Sequence, residues 1–135
     1  VAGIFAHEGA MDPHCDRPGL GRHVLVDFHE AAHLCDAASC VPVLRRAAEA
    51  AGATVLDVAL RDFGHRAGYT GVALLAESHI SIHTWPEHGL AVLDIFMCGA
   101  CDPMAALPVL RAHFRPGRET VTCLRRGAAV SAGAA

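Results

Sequence analysis

"LAESHISIHTWPEHG", residues 75–89, places serines, histidines, two glutamates and the chain's only tryptophan in a stretch that otherwise reads as strand. In "HISIHTW" alternation puts His79, Ser81 and His83 on one face and Ile80 and Ile82 on the other, because side chains of a strand point to opposite sides in turn. One face suits a core and the other carries reactive groups. Unpaired polar side chains are costly to bury, so the second face is either solvated or part of a site.

Working outward, "VALLAES" leads into this segment as strand and "LAVLDIFMCG" (Leu90–Gly99) follows as another. Upstream, "HVLVDF" (His23–Phe28) is apolar and β-branched enough for a buried strand. "VPVLRRAAEAAG" (Val41–Gly52) has Pro near a helix start, an Ala-rich interior and Gly at the end. "TVLDVALRDF" (Thr54–Phe63) alternates as a strand and "GHRAGYTG" (Gly64–Gly71) is a loop. Downstream, Asp102 can cap a helix "PMAALPVLRAHF" in which Pro108 kinks the helix or shifts its start, and "ETVTCLRR" returns as strand. The order β-α-β-β-β-α-β predicts an α+β fold, a two-layer α/β sandwich with a largely antiparallel sheet and helices on one face. Residues 1–20 are expected to be loosely ordered, with Met11 as an alternative start. Residues 21–126 would form the domain, and the Ala/Gly/Ser tail, 127–135, is expected to be disordered.

Composition narrows the function classes. The 53% hydrophobic fraction exceeds the about 45–50% usual for soluble domains, yet no apolar run approaches the roughly 20 residues of a membrane helix. The surplus reads as a subunit interface. A net charge of -3 and the lack of Lys/Arg clusters interleaved with aromatics exclude a nucleic-acid footprint. The first twenty residues lack the basic and apolar regions of a signal peptide, which predicts a cytoplasmic protein. The six cysteines (Cys15, Cys35, Cys40, Cys98, Cys101 and Cys123) then read as reduced thiols rather than a disulfide framework.

Several motifs have bland explanations. "HEAAH", His29 to His33, matches the zinc-protease pattern of two histidines around a general-base glutamate, which works only on a helix. Here it directly follows a strand without an N-cap, so a chance match is the better reading and no metal is expected. "CGAC", Cys98 to Cys101, lacks the second pair of a zinc knuckle. "FGHRAGYTG" lacks the Lys and Gly spacing of a phosphate loop. His7, His14, His23, His65, His88 and His113 are scattered and read as surface or satisfied histidines.

At "AESHISIHTWPEHG" and "DIFMCG" the chain closely resembles the bacterial and archaeal S-adenosylmethionine decarboxylases, small self-processing pyruvoyl enzymes of polyamine synthesis. The likeness extends over roughly residues 21 to 125, with "GRHVLVDF" similar to the family's opening strand and "AAGAT" to its helix-to-strand join. The resemblance implies cleavage between Glu77 and Ser78. The serine hydroxyl attacks the preceding carbonyl, and elimination and hydrolysis leave a pyruvoyl group. The products would be a β chain, 1–77, and an α chain, 78–135.

The pyruvoyl group derived from Ser78 would be the cofactor, forming a Schiff base with the substrate amine and drawing in the electrons released with CO₂. His83 matches the family histidine that assists processing, and Cys98 the cysteine that reprotonates the decarboxylated carbon. Glu87 matches the glutamate that accepts hydrogen bonds from the substrate ribose, Thr70 stands where a processing serine is common, and Phe63 corresponds to the aromatic that stacks on adenine.

The resemblance also implies a small-molecule substrate and a homodimer of αβ units with sites near the subunit interface. Two departures bear on substrate: the loop between Phe63 and Thr70 is one residue longer than the family pattern, and "HEAAHLCDAASC" is less acidic than usual. A pyruvoyl-dependent arginine or ornithine decarboxylase, an unprocessed regulatory homologue and a zinc hydrolase on His29 and His33 are the alternatives. Alternation also sets Ser78 on the face of Ile80, opposite His83, which predicts a sharp turn or strained peptide at the Glu77–Ser78 bond.

Overall fold

A computed structural model describes residues 20–127 together with the two-residue strand β1 (His7–Glu8). The expectations for 1–20 and 127–135 fall almost entirely outside the described residues. The further elements are β2 (Gly21–His29), α1 (Ala37–Ala50), β3 (Val55–Asp62), β4 (Tyr69–Leu75), β5 (Ser78–Trp85), β6 (Leu90–Cys98), α2 (Leu107–Phe114) and β7 (Arg118–Arg126). They form one sheet in the order β1-β7-β2-β6-β5-β4-β3, antiparallel throughout except that β1 runs parallel to β7.

The expected sandwich is present, with one strand more between the helices than the order β-α-β-β-β-α-β allowed. "VALLAES" and "HISIHTW" are separate strands because Ala76 and Glu77 form a two-residue turn, with Leu75 paired to Ser78 across it. The first helix begins four residues before Val41, since the Asp36 side chain accepts a hydrogen bond from Ser39 N at 3.1 Å and supplies the N-cap. Pro42 thus lies inside the helix, where it forfeits one backbone bond. Asp102 caps as expected, but it caps a 3₁₀ turn (Pro103–Ala106), and Pro108 sets the α-helical start at Leu107.

The inner sheet face buries Val24, Val26, Phe28, Ala73, Ile80, Ile82, Leu93, Ile95, Val121 and Cys123 in one cluster with Cys40, Val43, Leu44 and Ala47 of α1 and Leu107, Leu110 and Phe114 of α2. Thr84 is buried on this side, where its hydroxyl accepts from Tyr69 N at 2.9 Å and donates to Leu34 O at 2.7 Å. Among the described residues no helix packs on the outer face. Its side chains include Leu25, Val72, Leu74 and Leu124, all exposed.

One cysteine departs from the reduced reading. Cys35, Cys40, Cys98 and Cys101 are free thiols, but Cys123 is disulfide-bonded. Composition could not reveal that His7 and Glu8 pair in parallel with β7, the strand that bears Cys123. Among the described residues no helix is long and apolar enough to cross a membrane.

Candidate active site

The turn before β5 brings the sequence-predicted cleavage residues together. Glu77 adopts φ 61°, a left-handed conformation uncommon for a residue with a side chain, so the chain bends sharply at this bond as alternation required. Ser78 follows as the first residue of β5 and is 7% exposed. Cys98, the last residue of β6, lies beside it. Its thiol donates to the Glu77 carbonyl oxygen at 3.3 Å and lies 3.9 Å from both Ser78 Oγ and Glu77 Oε2. The Cys98 backbone N–H donates to Ser78 Oγ at 3.4 Å. A serine hydroxyl and a thiol that donates to the preceding carbonyl thus occupy one corner of the sheet.

His83 is not at that corner. It is exposed on the outer face of β5, with Nδ1 3.1 Å from Thr70 Oγ1 on the neighbouring strand and its ring stacked on Trp85 at 6.0 Å. Thr70 and His83 are register partners, and both line a shallow cavity of about 480 Å³ with Arg61, Val72 and Ser81. Glu87 is exposed in the 3₁₀ turn Pro86–His88, just past the same end of β5. Phe63 is 58% exposed where the β3–β4 loop begins, and Asp62 before it pairs with Tyr69 next to Thr70. The site residues therefore fall into two groups at opposite ends of β4 and β5. One holds Glu77, Ser78 and Cys98, and the other Thr70 and His83, with Glu87 and Phe63 nearby.

Residues 22–127 match the S-adenosylmethionine decarboxylase family. The chain belongs to this family. It is 42% identical over 109 residues to a Thermomicrobium roseum "S-adenosylmethionine decarboxylase proenzyme", covering 80% of this chain and 94% of the relative. A Methanococcus aeolicus protein of the same name is 39% identical over 114 residues, covering 82% and 97%. Among solved structures, the adenosylmethionine decarboxylase of Aquifex aeolicus VF5 superposes with a TM-score of 0.73 at 34% identity, covering 87% of this chain and 98% of that one.

"HEAAH" does not take up the helical geometry that the zinc-protease pattern requires. His29 ends β2, while Glu30 and His33 have φ values of 54° and 60°, so no helix presents the two histidines together. His33 instead stacks on His113 at 4.6 Å; burial and the neighbouring His33 hold the His113 imidazole below its usual pKa. Cys40 is equally inert: burial pushes its thiol up to about 11.

Sequence reading passed over one cluster. Asp94 of β6 is bonded to His23 Nε2 at 2.6 Å, to His79 Nε2 at 2.7 Å and to the Ser81 hydroxyl. An aspartate inside the apolar run "LAVLDIFMCG" was the available signal, because a polar residue half-buried in a strand needs partners. His23 is 71 positions away, so no local pattern could name it.

Proposed function

We propose that this chain is the proenzyme of a cytoplasmic pyruvoyl-dependent S-adenosylmethionine decarboxylase that cuts itself between Glu77 and Ser78 and works as a homodimer of αβ units, supplying aminopropyl groups for spermidine. The observation that carries this reading is the Cys98 thiol set on the Glu77 carbonyl oxygen beside Ser78 Oγ. Ser78 Oγ attacks that carbonyl carbon, and the thiol stabilises the negative charge that develops on the oxygen. The C–N bond breaks, so the acyl group of Glu77 passes to the serine oxygen and the Ser78 nitrogen becomes a free amine. The left-handed Glu77 residue stores backbone strain at this bond, and such strain favours its rupture. Removal of the Ser78 α-proton then expels the Glu77 carboxylate, and hydrolysis releases the nitrogen as ammonia.

The group so formed supplies an electron sink for loss of CO₂ from a substrate joined to it through its amine. Cys98 is in place to return a proton to the substrate carbon. Glu87, an exposed carboxylate, suits a ribose diol, and Phe63 offers a ring face to adenine. The names of the relatives favour S-adenosylmethionine over arginine or ornithine. Intact Ser78, His83 and Cys98 weigh against an unprocessed regulatory homologue.

A second copy completes the arrangement. Ser78 and His83 lie on opposite faces of one strand and five residues apart, about 17 Å at the usual rise, so one chain cannot bring them together. Among the described residues nothing packs on the outer face around His83, and Leu25, Val72, Leu74 and Leu124 give it the apolar character of an interface. His83 and Thr70 of one copy would then serve Ser78 and Cys98 of the other.

The test is mass spectrometry of purified protein with CO₂ release measured from S-adenosylmethionine, arginine and ornithine in parallel. Two chains split at Glu77/Ser78 with a pyruvoyl terminus, and release from S-adenosylmethionine, are expected. One intact chain, or release only from arginine or ornithine, overturns the proposal.

A further inference from the structure

Self-cleavage creates a mechanical problem that the Asp94 cluster is placed to solve. Before the cut, residue 78 is held by the Ala76–Glu77 turn and by pairing with Leu75, while pairing of β5 with β6 begins only at His79↔Phe96. The cut removes the turn's covalent tie, and the chemistry that follows removes the nitrogen of residue 78 and with it a backbone donor. A strand terminus without such ties frays. The first side chain after the new terminus is His79, and its Nε2 lies 2.7 Å from Asp94 Oδ2.

Asp94 is itself firmly held. Its carboxylate also takes hydrogen bonds from Ser81 on β5 and from His23 Nε2 on β2 at 2.6 Å. Arg126 on β7 places Nη1 3.0 Å from His23 Nδ1. Arginine can only donate, so His23 Nδ1 accepts, its proton sits on Nε2, and that proton points to Asp94. Burial raises the Asp94 pKa, but the bonds from Ser81, His79 and His23 outweigh it and hold the carboxyl below its ordinary value, so it remains an acceptor. The chain of bonds ties four adjacent strands, β5, β6, β2 and β7. The ligand atoms of His23, His79 and Asp94 also lie close enough for a metal ion, within 4.8 Å of one another. Arg126 opposes that use, because it requires a proton on the very nitrogen a metal would take.

We propose that Asp94 is a positioning residue, which through His79 keeps residue 78 at Cys98 once the chain has been cut. The inference rests on the self-cleavage reading above and adds a requirement that applies after cleavage. Misplacing a reacting group by about 1 Å costs up to roughly a hundredfold in rate, so the loss appears in kcat.

The experiment compares wild type with His79→Gln, His79→Leu and Asp94→Ala. Each is followed by intact mass for cleavage, thermal melting for folding, and kcat and KM for S-adenosylmethionine. Glutamine can set an N–H near the place of the imidazole Nε2–H and so preserve the tie to Asp94; leucine cannot.

Expected are complete cleavage in all four, kcat lowered between about tenfold and a hundredfold in His79→Leu and Asp94→Ala with KM little changed, and substantial recovery in His79→Gln. Wild-type kcat in His79→Leu overturns the inference. A His79→Gln protein as slow as His79→Leu overturns it too, since the imidazole would then act by its own chemistry. If His79→Leu does not fold, Asp94→Ala decides: normal kcat refutes the anchor. An uncut wild-type chain would instead defeat the self-cleavage reading itself.

Discussion

Two variants that are each inactive alone should restore one another when they share a dimer. Ser78→Ala removes the nucleophile, and His83→Ala removes the histidine proposed to assist processing, which lies about 17 Å along β5 on the opposite face. In a mixed dimer, the His83→Ala copy contributes Ser78 and Cys98 while the Ser78→Ala copy contributes His83 and Thr70, so one of two sites is complete. Random pairing from equal co-expression makes roughly half of all dimers mixed. About half of the His83→Ala chains should therefore be cut, none of the Ser78→Ala chains should be, and decarboxylation should reach about a quarter of the wild-type rate. Distinct tags on the two variants, followed by tandem purification and intact mass, isolate the mixed species and read cleavage chain by chain. If purified mixed dimers remain as uncut as either parent, the two groups do not meet across an interface and the division of the site between copies is wrong.

Cys98→Ala should slow cleavage by about threefold to tenfold, the worth of one weak donor on the scissile carbonyl, and depress turnover further; a time course of chain separation checks the first and CO₂ release the second. Thr84→Val leaves the Tyr69 N–H without its hydroxyl acceptor and Leu34 O without its donor in a buried setting, so urea unfolding should show a loss of about 1–3 kcal/mol. Arg111→Met strips the forked guanidinium contact from Glu119, whose side chain is 4% exposed. The expected loss is about 2–3 kcal/mol, below the about 3–5 kcal/mol of a fully buried pair because the Arg111 side chain is 37% exposed; denaturant midpoints at constant slope measure it.

Period-two alternation in "HISIHTW" assigned both faces of β5 correctly, since Ile80 and Ile82 are fully buried while His79, Ser81 and His83 look outward. The helix signals fared less evenly. Pro108 marked the start of α2, but Pro42 misdirected the start of α1, because the Asp36 cap outweighed a proline lodged in the helix. The turn at Ala76–Glu77 has no Gly or Asn to announce it; only the parity of Ser78 and His83 pointed to a sharp bend at the Glu77–Ser78 bond, and Glu77 supplies it with φ 61°. The Asp94 cluster was out of reach for a different reason: with Arg126 its members come from four strands, and which residues stand beside one another depends on register set by the packed inner face.

What the sequence determined by itself is the chemistry on offer and its parity. It supplies a serine after a glutamate, a histidine five positions on and a cysteine twenty on, and the odd interval alone separates Ser78 from His83 by a sheet face. Only the tertiary structure decided that Cys98 reaches the Glu77 carbonyl rather than Cys101, and that Thr70 and His83 form a second group on the outer sheet face. Those outcomes follow from how antiparallel strands slide to a common register when their alternate residues are buried under two helices, a balance over the whole core that no short stretch of chain contains.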